Sequence, residues 1–244
     1  MTPIAHIASE FGEIAILRNE ATGAVRYDQG QIHQSEADAE GISLVGYIHG
    51  IFDLLLQAGC RDVLMIGCGG GTLATMLHRT GVTVTIADID SWSFRLARQF
   101  FRLPADVACH AVDGAALLSA SERRYDGIVL DAYAANRLPP QFAAPAFLQT
   151  ARDRLAASSG VFIANIHVLD DNDPAADRYA GLMSGVWPAV RRLDAPGGKN
   201  RNVLVLAGKV AELQPPRLRV APAVAPDEIT AELGRLAFQG ESVR

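Results

Sequence analysis

Glycine and aspartate recur where short apolar runs of the sequence end, and these residues have the clearest potential for chemistry. The first run is followed by GCGGGT at residues 67–72, and the second ends with Asp88 in ADID. Asp113 follows the third run in VDG, and Asp131 follows the fourth in LDAY. Glycines let a backbone approach a ligand closely, and carboxylates accept hydrogen bonds from hydroxyl and amino groups. The combination indicates a site for a polar small molecule such as a nucleoside.

The glycines Gly67, Gly69 and Gly71 lie between an apolar run and a segment of helical composition. There they permit positive φ and leave the first N–H groups of the helix available to polar ligand atoms. A tight strand-to-helix turn without a ligand is the alternative. A dinucleotide fingerprint requires a further Gly or Ala where this chain has Thr72, which weakens the case for a pyrophosphate ligand.

Each aspartate has a chemical and a structural interpretation. Asp88 follows the glycines by about twenty residues, the position from which an acid binds ribose hydroxyls, and Asp90 or Ser91 is the better cap for the next helix. Asp113 either accepts a hydrogen bond from the amino group of adenine or caps the helix AALLSA. Asp131 follows the buried run GIVL, where it either holds and deprotonates an amine or makes a turn.

The elements that would position these residues are the strands of an α/β sheet. From residue 61, short apolar runs alternate with helix-length segments, which predicts a doubly wound arrangement of parallel strands and crossover helices. The last two runs flank PGGKN without room for a helix, so we expect the sheet to finish with an antiparallel hairpin. This pattern resembles the methyltransferase-type, Rossmann-like sheet of seven mostly parallel strands with a terminal antiparallel strand. Ligands of such sheets bind at the carboxyl ends of the strands.

Three regions are expected along the chain. Residues 1–40 alternate apolar and polar side chains around the turn signals NEATG and DQG, which predicts a small antiparallel β unit. Residues 41–210 would form the nucleoside-binding domain, beginning with a helix whose Tyr47, His49 and Phe52 either border the site or pack inside. Residues 211–244 read as a Pro-rich tail with a short helix, EITAELGRLAF.

Composition and charge exclude several classes of protein. The 244 residues are 49% hydrophobic, without an apolar run near the ~18 residues of a membrane span, so we expect a soluble protein without a membrane partner. The net charge is −5 and the basic residues are scattered, which argues against nucleic acid as a partner. No export signal is evident, which favours a cytoplasmic location. The three cysteines are widely spaced, so neither a disulfide framework nor a metal site is expected.

The ordered set of motifs resembles the polyamine aminopropyltransferase family, which includes the spermidine and spermine synthases. The resemblance extends over roughly residues 15–208 and rests on YDQGQIHQSEAD, VLMIGCGGGTLATML, VTIADID, AVDGAALL, YDGIVLDAYAANRLPPQF and GVFIANI. It implies a homodimeric transferase of polyamine biosynthesis. Its donor substrate would be decarboxylated S-adenosylmethionine, whose aminopropyl group passes to an amine.

The resemblance also divides the candidate residues into those that bind the donor and those that handle the amine. The donor residues would be three of the glycine loop, the ribose-binding acid and a pair that meets adenine: Gly67, Gly69, Gly71, Asp88, Asp113 and Gly114. Asp131 would orient and deprotonate the attacking amine. Further substrate contacts would come from Tyr133 and from Gln34 or His33, depending on a one-residue choice of alignment.

The sequence also departs from this family. Ala134 stands where those enzymes usually carry a second acid, and Ile42 and Ser43 stand where they carry a Tyr-His pair. Two alternatives therefore remain open: a methyltransferase that uses S-adenosylmethionine on a small molecule, or a catalytically silent nucleoside-binding protein. The acidic segment LDDND at 169–173 would bring Asp170, Asp171 and Asp173 to the rim of the same crevice, where they could attract a polycation, or it could be an ordinary solvated loop.

Overall fold

The computed structural model describes residues 1–30, 32–134, 137–157 and 160–243. Within these residues, the N-terminal part forms a four-stranded antiparallel sheet in chain order. Its strands are β1 (Thr2–Ser9), β2 (Gly12–Arg18), β3 (Val25–Gln29) and β4 (Ile32–Ala37). The predicted turn after β2 contains Gly23 at a φ of 72°, a conformation that glycine adopts without strain. The structure confirms the predicted antiparallel β unit.

The same described residues place a mixed eight-stranded sheet after the N-terminal one, in the order β12-β10-β11-β9-β8-β5-β6-β7. Its strands are β5 (Asp62–Ile66), β6 (Thr83–Asp88), β7 (Ala108–Ala111), β8 (Gly127–Leu130), β9 (Val161–Val168), β10 (Ala189–Asp194), β11 (Arg201–Gly208) and β12 (Ala237–Val243). Strands β5 to β9 pair in parallel, and β11 lies antiparallel to β9. The predicted hairpin is formed by β10 and β11. This confirms the predicted α/β class of sheet.

Helices cover both faces of the large sheet. They are α1 (Gly46–Gln57), α2 (Thr72–Arg79), α3 (Ser91–Phe100), α4 (Gly114–Ala120), α5 (Pro145–Asp153), α6 (Ala175–Ser184) and α7 (Pro226–Arg235). Alternate residues of β5 point to opposite faces, so Val63 and Met65 pack with residues of α1 to α3, and Leu64 and Ile66 with residues of α4 to α6. Burial on both faces explains why β5 reads as a continuous apolar run.

The small sheet packs against α3 through its own apolar cluster. Ile14, Ile16 and Tyr27 are buried together with Leu96 of α3 and with Phe101. This contact fixes β4 beside the carboxyl ends of the large sheet. None of the helices in the described ranges is long and apolar enough to span a membrane.

In its described part, the large sheet has one strand more than the seven that the sequence predicts. Residues 237–243 form β12 beside β10, whereas the sequence pattern assigns LAF at 236–238 to the end of the preceding helix. The error arises because these apolar residues continue the helical spacing of Ile229 and Leu233. Helix α7 ends at Arg235 instead, and Leu236 is already extended at φ −72° and ψ 126°.

The 217–223 segment of the C-terminal tail is fixed to α1 and to the end of β4 by buried aspartates. The carboxylate of Asp53, which is fully buried in α1, accepts hydrogen bonds from the Arg217 N–H at 2.8 Å and from the Arg219 guanidinium. The carboxylate of Asp38 accepts the Ala223 N–H at 2.8 Å. Helix α7 also packs closely, because a Cβ at Gly46 would lie 2.1 Å from a Glu232 oxygen. The segment therefore holds α1 in place.

Candidate active site

A crevice opens at the carboxyl ends of the parallel strands, between the large sheet, α1 and β4. It lies where β6 and β8 leave opposite sides of β5, the point at which such sheets bind ligands. Its lining combines residues of the small sheet, the first helix, the glycine loop and the end of β8: Gln34, Ser35, Tyr47, Ile48, Met65, Gly67, Cys68, Gly69, Thr72, Leu73 and Asp131. The predicted residues Gln34, Gly67, Gly69 and Asp131 thus meet at one cavity.

Contacts within the protein already require glycine in the loop after β5. Gly67 has a φ of 99°, and a Cβ there would lie 2.0 Å from the main-chain oxygen of Asp131. Gly69 has a φ of 49°, and its Cβ would lie 2.7 Å from the Ser35 hydroxyl, which also accepts the Gly70 N–H at 3.0 Å. Gly71, at φ 66°, is the left-handed cap residue of α2. The packing explains these glycines, and their contact with a donor stays a prediction.

Asp88 and Asp90 have different hydrogen-bonding roles at the end of β6. Asp90 caps α3 by accepting the Trp92 N–H at 2.9 Å, and it is one of the two caps that the sequence allows. Asp88 accepts the Cys68 N–H with one carboxylate oxygen and the Asp90 N–H with the other, each at 2.8 Å. Burial raises the pKa of Asp88 to about 6, against the opposing effect of these hydrogen bonds. Each oxygen retains a lone pair that a ribose hydroxyl could use.

Asp113 caps α4 in the structure. One carboxylate oxygen accepts the N–H groups of Ala115 and Ala116 at 2.9 and 3.0 Å, and the other accepts the Gln141 amide at 2.9 Å. A Cβ at Gly114 would lie 2.4 Å from a methyl carbon of Ile66, so glycine lets α4 begin close to β5. The structural interpretation of this pair holds, and the adenine contact stays a prediction.

Asp131 lies directly after β8, half-buried at the crevice. One carboxylate oxygen accepts the Tyr47 hydroxyl at 3.0 Å, and the other accepts the Asn165 amide at 2.9 Å. Its own N–H donates to the Ile66 carbonyl at 2.8 Å, which continues the pairing of β8 with β5. Burial raises the pKa of Asp131, and the hydrogen bonds from Asn165 and Tyr47 oppose this rise. The side chain is therefore oriented by neutral donors from α1 and β9.

Asn165 is the site residue that the sequence does not indicate. It is the one polar residue of the run VFIANI, which otherwise reads as a buried strand. That exception in an apolar run is the signal that could have drawn attention to it. Tyr47 does touch the site, as one of the two interpretations of its helix allows.

Tyr133 uses its hydroxyl to bind the backbone of β9. The hydroxyl donates to the Asn165 carbonyl and accepts the His167 N–H, both at 2.7 Å. It thereby replaces strand pairing beyond the end of β8, and a contact with substrate stays a prediction. Of the two alignment choices in β4, Gln34 lines the crevice, whereas His33 is exposed 3.6 Å from a Glu36 oxygen. The geometry favours Gln34.

The predicted position of the acidic segment at 169–173 on the rim of the crevice is wrong, because the segment borders a different concavity, beside α6 and β10. Asp171 pairs with Arg201 at 2.9 Å, and Asp173 accepts the N–H groups of Leu169 and Ala175 at 3.0 Å. These carboxylates are thus engaged by an arginine and by backbone groups, away from Asp131. In the described ranges, no group of three or more His, Cys, Asp or Glu is arranged to hold a metal ion, and the three cysteines are free.

The antiparallel N-terminal sheet, the large mixed sheet and the crevice between them define a spermidine synthase-like fold, related to that of the S-adenosylmethionine-dependent methyltransferases. The structure matches a probable spermidine synthase from Corynebacterium glutamicum ATCC 13032 with a TM-score of 0.78 and 20% identity, over 99% of this chain and 92% of that one. It also matches human methyltransferase-like protein 13, solved with SAH, with a TM-score of 0.55 and 23% identity, over 77% of this chain and 88% of that one.

The sequence is 29% identical, over 155 residues, to a probable polyamine aminopropyl transferase of Bifidobacterium longum (strain NCC 2705). The match covers 61% of this chain and 34% of the relative, so it spans about a third of that protein's length. No protein-family model matches the chain. The chain is thus similar, at low identity, to a probable polyamine aminopropyl transferase and has a spermidine synthase-like fold.

Proposed function

We propose that this protein is a spermidine synthase-like transferase that moves an aminopropyl group from decarboxylated S-adenosylmethionine to an amine acceptor. The observation that carries the proposal is the Asp131 carboxylate, held at the crevice by Tyr47 and Asn165 and adjacent to the glycine loop at Gly67. Within the described residues, no Lys, Arg or His forms an ion pair with Asp131. The carboxylate is available to a cationic substrate group.

The chemistry requires little beyond orientation and removal of a proton. The lone pair of a neutral amine attacks the aminopropyl carbon that is bonded to the sulfonium, and the new C–N bond forms as the C–S bond breaks. The bonding pair leaves with sulfur, which becomes the neutral thioether of methylthioadenosine. The attacking nitrogen passes its proton to Asp131. Because the sulfonium is a good leaving group, positioning in line with the C–S bond supplies most of the catalysis.

The residues around Asp131 suit this role. A base must be ionised before it can accept a proton, and the amide of Asn165 and the hydroxyl of Tyr47 stabilise the ionised form against burial. The raised pKa brings the carboxylate closer to the pH at which an amine can be deprotonated. Asp88 would hold the donor ribose, and Gly67, Gly69 and Gly71 with Asp113 and Gly114 would enclose the rest of the nucleoside.

Mass spectrometry of the nucleoside product tests this proposal. The purified protein is offered decarboxylated S-adenosylmethionine and S-adenosylmethionine, separately, with a mixture of small amines. We expect methylthioadenosine from the decarboxylated donor, and only when an amine is present. Formation of S-adenosylhomocysteine instead would overturn aminopropyl transfer, and formation of neither product would support a nucleoside-binding protein.

Asp131→Asn tests the assigned base. We expect turnover to fall by about 10²–10⁴-fold, the usual contribution of a general base, while the affinity for methylthioadenosine stays within about twofold of that of the unaltered protein. The matched control is Asp170→Asn, which removes an acid of the 169–173 segment. Equal losses in both variants would remove Asp131 from the mechanism.

The second candidate is methyl transfer from S-adenosylmethionine. It is favoured by the likeness to human methyltransferase-like protein 13 and by Ala134, which stands where a second acid is expected in an aminopropyltransferase. The proposed homodimer and cytoplasmic location stay predictions, and sedimentation velocity tests the first of them.

A further inference from the structure

We propose that Asn165 is a positioning residue that holds the Asp131 carboxylate in its reactive orientation. This inference rests on the proposed function, since it assigns Asn165 a part in the proton transfer to Asp131. The residue lies within β9 and its amide Nδ2 donates to Asp131 Oδ1 at 2.9 Å. None of the comparisons or motifs assigns it a role.

The burial of Asn165 is the first argument. The residue is 2% exposed, and in the described structure its amide oxygen Oδ1 is buried without a hydrogen-bond partner. A buried oxygen without a partner is unfavourable to folding, and an apolar residue of the same size would avoid that cost. The other residues of β9 from Val161 to Ile166 are all apolar and buried. Stability alone therefore does not account for an asparagine at this position.

The second argument is that Asn165 contacts the loop after β8 twice. Its side chain binds Asp131, and its main-chain carbonyl accepts the Tyr133 hydroxyl at 2.7 Å. The other oxygen of the Asp131 carboxylate accepts the hydroxyl of Tyr47, which belongs to a different element, α1. Since Asn165 lies in the interior of a central strand, it supplies the rigid side of this arrangement.

The other titratable groups near Asp131 do not obscure the effect of Asn165 on the pKa of Asp131. Tyr47 from α1, Tyr133 from the same loop and Cys68 across the crevice all have a pKa that burial raises, so they remain neutral at physiological pH. Among the described residues, His167 lies two positions further along β9 on the same side as Asn165, and it is the titratable group chosen as a control. A change in the titration of Asp131 after substitution of Asn165 can therefore be assigned to the lost amide.

The test is a carbon-13 NMR titration of the aspartate carboxyl groups, with the Asp131 signal assigned from Asp131→Asn. In Asn165→Leu, we expect the pKa of Asp131 to rise by about one unit, because a hydrogen bond to the ionised form is lost. Thr85→Val is the matched control: Thr85 is also buried in the large sheet, with a hydroxyl that has no described partner. An unchanged Asp131 titration in Asn165→Leu would overturn the proposal, as would an equal rise in Thr85→Val.

A second variant and a kinetic readout keep the inference falsifiable if Asn165→Leu folds poorly. Asn165→Asp preserves the size of the side chain and places another carboxyl group beside Asp131, so we expect a coupled titration with one pKa strongly raised. In either variant, the acid limb of kcat/KM should move to higher pH, whereas His167→Asn should leave it in place. A merely structural role would lower kcat/KM without moving the limb, and that result would refute the positioning role.

The two proposals fail in different ways. If no aminopropyl transfer is found but Asn165→Leu raises the Asp131 pKa, the pairing stands and the proposed function falls. If transfer is found and neither the titration nor the pH limb moves, Asn165 has no part in it.

Discussion

Asp88 and Asp131 are both acids whose pKa is raised by burial, but their hydrogen bonds come from different sources. Asp88 accepts main-chain N–H groups of Cys68 and Asp90, whereas Asp131 accepts side-chain donors. The main-chain contacts make Asp88 part of the glycine loop itself. Asp131 is instead held by side chains, which can be substituted, so its pKa can be changed by mutation.

We expect donor binding to depend on pH through Asp88. With a pKa of about 6, the carboxylate gains a proton as the pH falls below that value and accepts ribose hydroxyls less well. Calorimetric titration with methylthioadenosine should show affinity weakening as pH falls from 7 to 5. Asp88→Asn should weaken binding at pH 7 and remove this dependence, whereas Asp170→Asn should retain it. A flat profile in the unaltered protein would contradict the assignment.

A pair of substitutions in β4 separates the two alignment choices. Gln34→Ala should raise the KM for the amine by about tenfold, the effect of one lost hydrogen bond, because Gln34 lines the crevice. His33→Ala should change KM by less than about twofold, since its side chain is exposed beside Glu36. Steady-state kinetics with the identified acceptor gives the answer, and the reverse order would favour His33.

For single residues, the sequence was informative about contacts that depend only on neighbours in the chain. The cap of α3 could be narrowed to Asp90 or Ser91 because it depends on the local backbone alone. The pairing of Asn165 with Asp131 could not, since it joins residues 34 positions apart through the packing of β9 against the end of β8. An apolar run indicates that its residues are buried, but it does not indicate which residue a polar side chain within the run will contact.

Among the elements, the glycine loop shows most clearly how packing constrains conformation. Gly67→Ala should combine the cost of a positive φ, about 1–2 kcal/mol, with a steric clash against Asp131 that adds roughly 1–3 kcal/mol. Gly81→Ala is the control, because Gly81 has a φ of 80° and nothing within 4 Å of a Cβ. Urea denaturation of the two variants measures the difference. Equal destabilisation would show that the loop relaxes around the new methyl group.

The type of each element was easier to predict than its boundary. The parallel strands and the β10–β11 hairpin follow from apolar runs and the segments between them. The change from α7 to β12 was missed because Leu236 and Phe238 fit the apolar spacing of a helix and also the edge of a sheet. Only the contact of β12 with β10 decides between the two.

For the whole molecule, the 217–223 segment links the far end of the described chain to the crevice through α1. Arg219→Ala should leave the buried Asp53 with fewer donors and lower the free energy of unfolding by about 2 kcal/mol. Hydrogen exchange should then quicken in α1, and turnover should fall because α1 carries Tyr47. Arg123→Ala is the control, since its partner Asp62 lies at the surface and such a pair contributes at most about 1 kcal/mol. Unchanged exchange in α1 would contradict this role.

This arrangement also sets an order of events while the protein is being made. Asp53 meets its partner at Arg217 across 164 positions of chain. At a synthesis rate of about 5–20 residues per second, α1 leaves the ribosome roughly 10–30 s before the segment that secures it. During that interval, α1 lacks the contacts with this segment, and the Asp53 carboxylate lacks its partners Arg217 and Arg219. The crevice therefore becomes complete late in synthesis, after the small sheet and strands β5 to β11 of the large sheet have been made.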